Sequence, residues 1–368
     1  MLTKARAIVL AITSADANHV LLSVQAENEA EPRTALAYPS LTGPVHVGDM
    51  VVLNTTATTL KLGTGGVDFV IHNESRPLPD AASGADEPDA HIVKLRYTPL
   101  QHAVAAVETN PAHAAVWERA QTLLQTPVVA LGLHSQLAPA AAAVKAARPD
   151  ARVAYVMTDA AALGIGFSAL VRDLKAAGLL DATLTAGQAF GGDYECVTVA
   201  SGLLAARWIA RADVILVGQG PGNAGTGTRF GFSGIEQGPL LDMAGRLWGT
   251  PIAPLRLSLA DKRARHAGLS HHSVTTLGLL AQSPALIAFP AENEDLPEAT
   301  LAPLREAVEN SPIARTHTIM EADGTPGMAL LARLGVRVTS MGRAPDQDTV
   351  FFHAAAAAGA LAASHIRS

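Results

Sequence analysis

The run Val214-Ile215-Leu216-Val217-Gly218-Gln219-Gly220-Pro221-Gly222-Asn223-Ala224-Gly225-Thr226-Gly227-Thr228 decides the fold. Its apolar half shows no alternation, which is what a strand buried on both faces requires. Such a strand needs helices above and below it, the condition of a parallel sheet. The glycines follow at once, placing a flexible loop beyond the carboxyl end of a strand, where open parallel sheets bind ligands.

Outward from this run, short apolar segments alternate with helical patterns. Strands are expected at 128–133, 152–157, 181–186, 212–217, 252–257, 285–289, 317–319 and 337–339. Helices are expected at 139–147, 167–177, 201–210, 238–248, 273–281, 301–309, 327–333 and 348–363. Before this region the pattern changes to short β-branched or alternating runs at 6–12, 19–25, 34–38, 48–55 and 67–72, with no helix between them. That composition suits a small barrel. The fold class is therefore α/β: a small N-terminal β-barrel (1–76), an acidic Pro/Ser/Gly-containing linker (77–92) and a doubly wound, mostly parallel α/β domain (93–368).

Composition narrows the function classes. Apolar residues make up 49% and aromatic residues 4% of the 368, so the core must be built from Ala, Val and Leu. A net charge of -6 gives no long-range attraction to nucleic acid or anionic lipid. The single cysteine, Cys196, excludes an internal disulfide and a thiolate zinc site, in keeping with a cytoplasmic protein. The alanine-rich end, 351–366, is shorter than the roughly 20 residues of a membrane span and reads as a buried helix.

The glycine loop is the first candidate site. Gly218, Gln219, Gly220, Gly222, Gly225, Thr226 and Gly227 would offer backbone N–H groups to a phosphate or carboxylate. The loop lacks the Gly-Lys-Ser/Thr ending of a Walker motif, and no helix opens as a dinucleotide fingerprint requires. Downstream, Ser233 and Glu236 fit a capping box for the helix that ends near Trp248.

A second cluster, Asp261-Lys262-Arg263-Ala264-Arg265-His266-Ala267-Gly268-Leu269-Ser270-His271-His272-Ser273, concentrates cations and histidines in an acidic chain. Arg263, Arg265 and His266 suit binding of an oxyanion, and His271 and His272 suit proton transfer. Adjacent histidines on a helix point apart, so no metal ligands are assigned. A third stretch, Asp193-Tyr194-Glu195, would serve either as a cation or base site or as plain surface carboxylates. No Gly-x-Ser-x-Gly elbow is present, which disfavours a triad hydrolase.

Several motifs resemble one bacterial family. They are Asn54-Thr55-Thr56, Leu62-Gly63-Thr64-Gly65-Gly66, Lys94-Leu95-Arg96-Tyr97-Thr98-Pro99-Leu100-Gln101, Gly220-Pro221-Gly222, Gly225-Thr226-Gly227-Thr228, Phe232-Ser233-Gly234-Ile235-Glu236-Gln237 and the pattern Arg265-His266, Gly268, Ser270-His271-His272. The family is domain of unknown function 3866, and the resemblance also takes in Met341-Gly342-Arg343 and the final helix. It implies a bacterial cytoplasmic protein and carries no activity, cofactor or catalytic residue with it.

The leading functional expectation is a site for a phosphorylated or carboxylated small molecule formed by 218–228 and 263–272. In its enzymatic form, Arg263 and Arg265 clamp the anion while His271 or His272 exchanges protons with Asp159 or Glu236 nearby. No cofactor is specified. The competing expectation is a ligand-sensing or scaffold homo-oligomer without catalysis. A weaker one is a nucleic-acid-binding, OB-like barrel, which would have only Tyr38 and Phe69 for base stacking.

Overall fold

The computed structural model describes residues 2–27, 29–62, 66–76 and 90–367. The expected linker therefore falls, from 77 to 89, outside the described residues, as does Gly63-Thr64-Gly65 of the second glycine loop.

Chain contacts divide the protein into two units, Met1–Ala105 with Gly164–Phe167, and Ala106–Leu163 with Ser168–Ser368. In the first unit, strands β1 (Lys4–Ala15), β2 (Val20–Ala26), β3 (Arg33–Ala37), β4 (Met50–Asn54) and β5 (Val67–Asn73) close into a barrel in the order β1-β2-β3-β5-β4. Strict alternation along β2 turns Val20, Leu22, Val24 and Ala26 inward. They meet Ala7, Val9, Ala35, Ala37, Val51, Leu53 and Val70 from the other strands. Alanine, valine and two leucine side chains fill the lumen of this narrow five-stranded barrel. Buried Asp49 closes one corner by accepting from Asn73 Nδ2 (2.8 Å) and from Arg76 Nε and Nη2 (3.1 and 2.9 Å). A hairpin of β6 (Ile92–Lys94) and β7 (His102–Val104) groups with this unit and not with the α/β part.

The second unit is built on eight parallel strands: β8 (Pro127–Ala130), β9 (Val153–Thr158), β10 (Ala182–Ala186), β11 (Tyr194–Cys196), β12 (Val214–Gln219), β13 (Thr250–Pro254), β16 (Leu286–Pro290) and β17 (Thr318–Ala322). Edge to edge the order is β11-β10-β9-β12-β8-β13-β16-β17. A two-stranded ribbon, β14 (Leu257–Ser258) with β15 (Gly268–Leu269), follows β13. The deciding run is the central strand β12, buried at all six positions.

Two strand expectations change. Tyr194–Cys196, where no strand is expected from the sequence, is an edge strand, tied to β10 by Thr185 Oγ1 donating to Glu195 Oε2 (2.7 Å) and by Asp193 Oδ2 accepting from Thr183 N (2.8 Å). The carboxylates of that stretch thus serve the sheet. Residues 337–339 form no strand: β-branched residues favour extension, but the sheet ends at β17 and, among the described residues, no ladder partner meets them.

The final helix, Thr349–Ser364, is apolar all round and packs against the helices Leu137–Ala147 and Thr325–Leu334. Glycine is what lets the backbones approach so closely at one point: a Cβ at Gly359 would overlap the carbonyl oxygen of Ala140. Among the described residues, no helix is long and apolar enough to cross a membrane.

Candidate functional site

From β8 the chain proceeds toward β9, β10 and β11, whereas from β12 it proceeds toward β13, β16 and β17. With right-handed crossovers the two helices leaving β8 and β12, Leu137–Ala147 and Gln237–Arg246, lie on opposite faces of the sheet. Their loops diverge at the carboxyl ends of these strands, the place where such folds leave a crevice.

Around it the strand ends carry polar side chains. Gln237 Nε2 bridges the carbonyls of Ala130 (3.0 Å) and Pro254 (3.2 Å). Gln136 Oε1 accepts from the amides of Gly132 and Leu133 at 3.0 and 3.1 Å. A Cβ on Gly234 would sit 2.5 Å from the carbonyl oxygen of Gly132, so only glycine permits this approach of loop to strand end.

The glycine loop divides into parts with different roles. Gly218 and Gln219 belong to β12, and Gly220 is buried behind them. Beyond Gly220, residues through Phe230 are mostly exposed and fold back on themselves. Thr226 N and Oγ1 both donate to Gly231 O (2.8 and 3.0 Å), Ala224 N donates to Ser233 Oγ (3.0 Å), and Thr226 and Thr228 share a hydroxyl contact of 2.8 Å. Those amides close the loop and are not free to cradle an anion. Gly222 and Gly227, at φ of 101° and 81°, supply its turns.

The capping-box expectation is corrected. Ser233 opens a short 3-10 turn, Ser233–Glu236, whose N-cap is Phe232, and its hydroxyl donates to Asn223 Oδ1 (3.1 Å). This frees Glu236 to reach β9, where Thr158 Oγ1 donates to its Oε1 at 2.6 Å. Burial, and then the charge of Asp159, raise the Glu236 carboxyl to about 7 despite the Thr158 hydrogen bond. Asp159 is exposed and accepts from Gln188 N at 2.9 Å. Gln219 Nε2 donates to Asn223 Oδ1 (2.8 Å), while its buried Oε1 has no partner.

The second cluster meets the loop. Phe232 lies flat on His272, with ring centroids 3.6 Å apart and planes 3° from parallel. Arg265 reaches the turn at Gly227, its Nη1 3.5 Å from where a Cβ would be. His266, at the end of the turn Ala264–His266, and His271 and His272, the first residues of the helix His271–Thr275, form one group with centroids 4.4–4.9 Å apart. The divergence expected of adjacent histidines is not seen. At the first two positions of a helix both side chains lean toward its N-terminus, and no preceding turn separates them. Ser270 caps that helix as its sequence position suggests, accepting from His272 N at 3.2 Å. The helix then widens into a π turn, Thr276–Leu280, in place of the regular helix expected over 273–281.

Hydrogen bonds fix the tautomers. Arg256 Nη1 only donates, so His272 Nδ1, 3.0 Å away, accepts and the neutral ring carries its proton on Nε2. Arg265 Nε donates to His266 Nε2 (3.4 Å), and His266 Nδ1 donates to Ser270 Oγ (2.7 Å). Among the described residues, the buried His271 Nε2 has no hydrogen-bond partner. Burial, then Arg256, hold His266 and His272 near 3, and burial with Arg265 lowers His271, so the rings are neutral at neutral pH.

Arg256 escaped the sequence reading, although a lone charge directly after the apolar strand end Ile252–Leu255 was a signal for it. It is buried, and burial followed by Arg263 lowers it to about 10. Arg263 is held by Asp261 through two hydrogen bonds, Nε at 2.9 Å and Nη2 at 2.7 Å, so it is less available as a clamp than Arg265. Arg343 reaches Asp261 (3.6 Å) and Asp348 (3.1 Å). Four guanidinium groups against two carboxylates leave a surplus of positive charge.

A family described as protein of unknown function (DUF3866) matches residues 34–359. The chain belongs to that family. The match spans the crest of DUF3866 described above, from Thr158 to Arg343, and most of both units. Neither the curated proteins nor the solved structures contain a match. The two aromatic residues of the DUF3866 barrel that sequence offers for base stacking, Tyr38 and Phe69, pack on each other at 6.2 Å and 17°.

Proposed function

We propose that the strand-end crest of the second unit binds a small phosphorylated or carboxylated molecule, with Arg256 and Arg265 as its cationic contacts and the histidine group as its floor. One observation carries this reading: His271 Nε2 is buried without a hydrogen-bond partner inside a cluster with surplus positive charge. Buried polar atoms are nearly always paired, and an oxyanion would satisfy both the atom and the charge. The unpartnered Gln219 Oε1 at the end of β12 is an acceptor and would suit a hydroxyl or amino group of such a ligand, not its anionic oxygens.

The cleft beneath Phe232 has a volume of about 10 Å³, room for one water molecule. Ligand entry therefore needs Phe232 and its loop to swing off His272. The roomier cavities of this unit, about 480 Å³ beside Trp248 and about 570 Å³ beside Met328, have none of the cluster's arginines or histidines in their lining. In an enzymatic version Glu236, poised near 7, is the proton-transfer group, because it is half ionised at neutral pH.

A thermal-shift screen of phosphorylated and carboxylated metabolites tests the reading. Stabilisation by at least one of them that is lost in Arg265→Ala is expected. No shift from any, or shifts unaffected by the substitution, would refute it.

A further inference from the structure

We propose that His266, His271 and His272 hold one divalent transition-metal ion of the zinc class, which shares the oxyanion with the arginines. The inference deepens the oxyanion reading and rests on it only for that shared anion. One ligand atom from each of the three side chains lies within 4.8 Å of the other two, close enough for rotamer adjustment to close on an ion. An all-imidazole set selects zinc, copper, nickel or cobalt over magnesium and calcium, which take oxygen. Three protein ligands leave the fourth tetrahedral position open.

Two features support this use. Ser270 Oγ already orients His266 through Nδ1 at 2.7 Å, the outer hydrogen bond that metal-binding histidines commonly have. His271 Nε2 lacks any partner that an ion would have to displace; with the ion bound there, the oxyanion meets the ion in place of the ring N–H.

Two features oppose a bare ion. Arg256 occupies His272 Nδ1 and Arg265 approaches His266 Nε2, so coordination exchanges these hydrogen bonds for metal bonds beside positive charge. A tetrahedral oxyanion bridging the ion and the guanidinium groups offsets that repulsion. Metal and anion should therefore strengthen each other's binding.

The test uses the full chain, stripped with chelator and titrated with Co²⁺ by visible absorption, with and without inorganic sulfate. One equivalent of Co²⁺ with the intense band of four-coordinate cobalt is expected, and sulfate should tighten it by roughly tenfold. Outer-shell partners alone change metal affinity roughly 10–100-fold, so His271→Ala and His266→Ala should each weaken binding by at least that much. Where alanine perturbs folding by circular dichroism, His271→Gln and His266→Gln replace it. Arg265→Gln should strengthen Co²⁺ binding without sulfate while weakening sulfate, a split that a purely structural role would not produce. The metal site is overturned if no stoichiometric Co²⁺ band forms, if histidine variants that fold bind as tightly as the native chain, or if Arg265→Gln weakens the ion. Sulfate binding with no metal would leave the oxyanion reading standing alone. Metal binding with no anion would do the reverse.

Discussion

Replacing Glu236 by Gln removes a half-buried carboxyl that folding shifts from 4.5 to about 7. The groups acting on it are Asp159, whose charge raises it, and Thr158 with the Gln219 backbone, whose hydrogen bonds lower it. Tyr155 also feels its charge. The sign follows from proton uptake. Between pH 4.5 and about 7 the native state binds the proton and the unfolded state releases it, so the stability tied to this group is highest below 4.5 and falls as pH rises to about 7. The shift from 4.5 to about 7, at about 1.36 kcal/mol per unit, comes to about 3 kcal/mol in all.

Gln keeps the acceptor for Thr158 and cannot ionise. The variant should match the native chain near pH 4 and exceed it by about 3 kcal/mol at pH 8, the gap widening mainly between these values. Urea unfolding at pH 4, 5, 6, 7 and 8 measures this. A gap independent of pH, or one that narrows as pH rises, would refute the assignment of a half-buried, proton-holding carboxyl.

In the barrel, Asp49→Ala takes the acceptor from half-exposed Arg76 and from His46 N and leaves buried Asn73 Nδ2 only the Pro44 carbonyl, and should cost about 1–2 kcal/mol in urea unfolding. Burial works against the Asp49 carboxylate, but Arg76 and Asn73 hold it at about 2, so the pair's contribution should persist above pH 3.8 and fade as pH drops toward 2. At the helix crossing, Gly359→Ala should cost about 1–3 kcal/mol or more by forcing the final helix off Ala140, read as a lowered melting temperature.

The sequence by itself determined the two-part architecture. Period-two alternation marks Val20–Ala26 as a half-buried barrel strand, and loss of alternation marks Val214–Gln219 as a strand covered on both faces. These patterns are local, so they are legible without a fold. It also located the two segments that meet, because strand ends in a parallel sheet gather on one edge.

Only the tertiary structure decided what each residue does there. Whether the amides of the loop are free depends on its closure through Gly231 and Ser233, which glycine content does not encode. Whether Glu236 caps a helix or reaches Thr158 depends on the position of β9, 78 residues earlier in the chain. Arg256 becomes a central group because the fold buries it beside His272 and Asp261, and a strand of residues 337–339 fails because no neighbour among the described residues pairs with it. Propensity and spacing act over a few residues, whereas hydrogen-bond partners, burial and the resulting proton affinities are set by segments that the sheet brings together from across the chain.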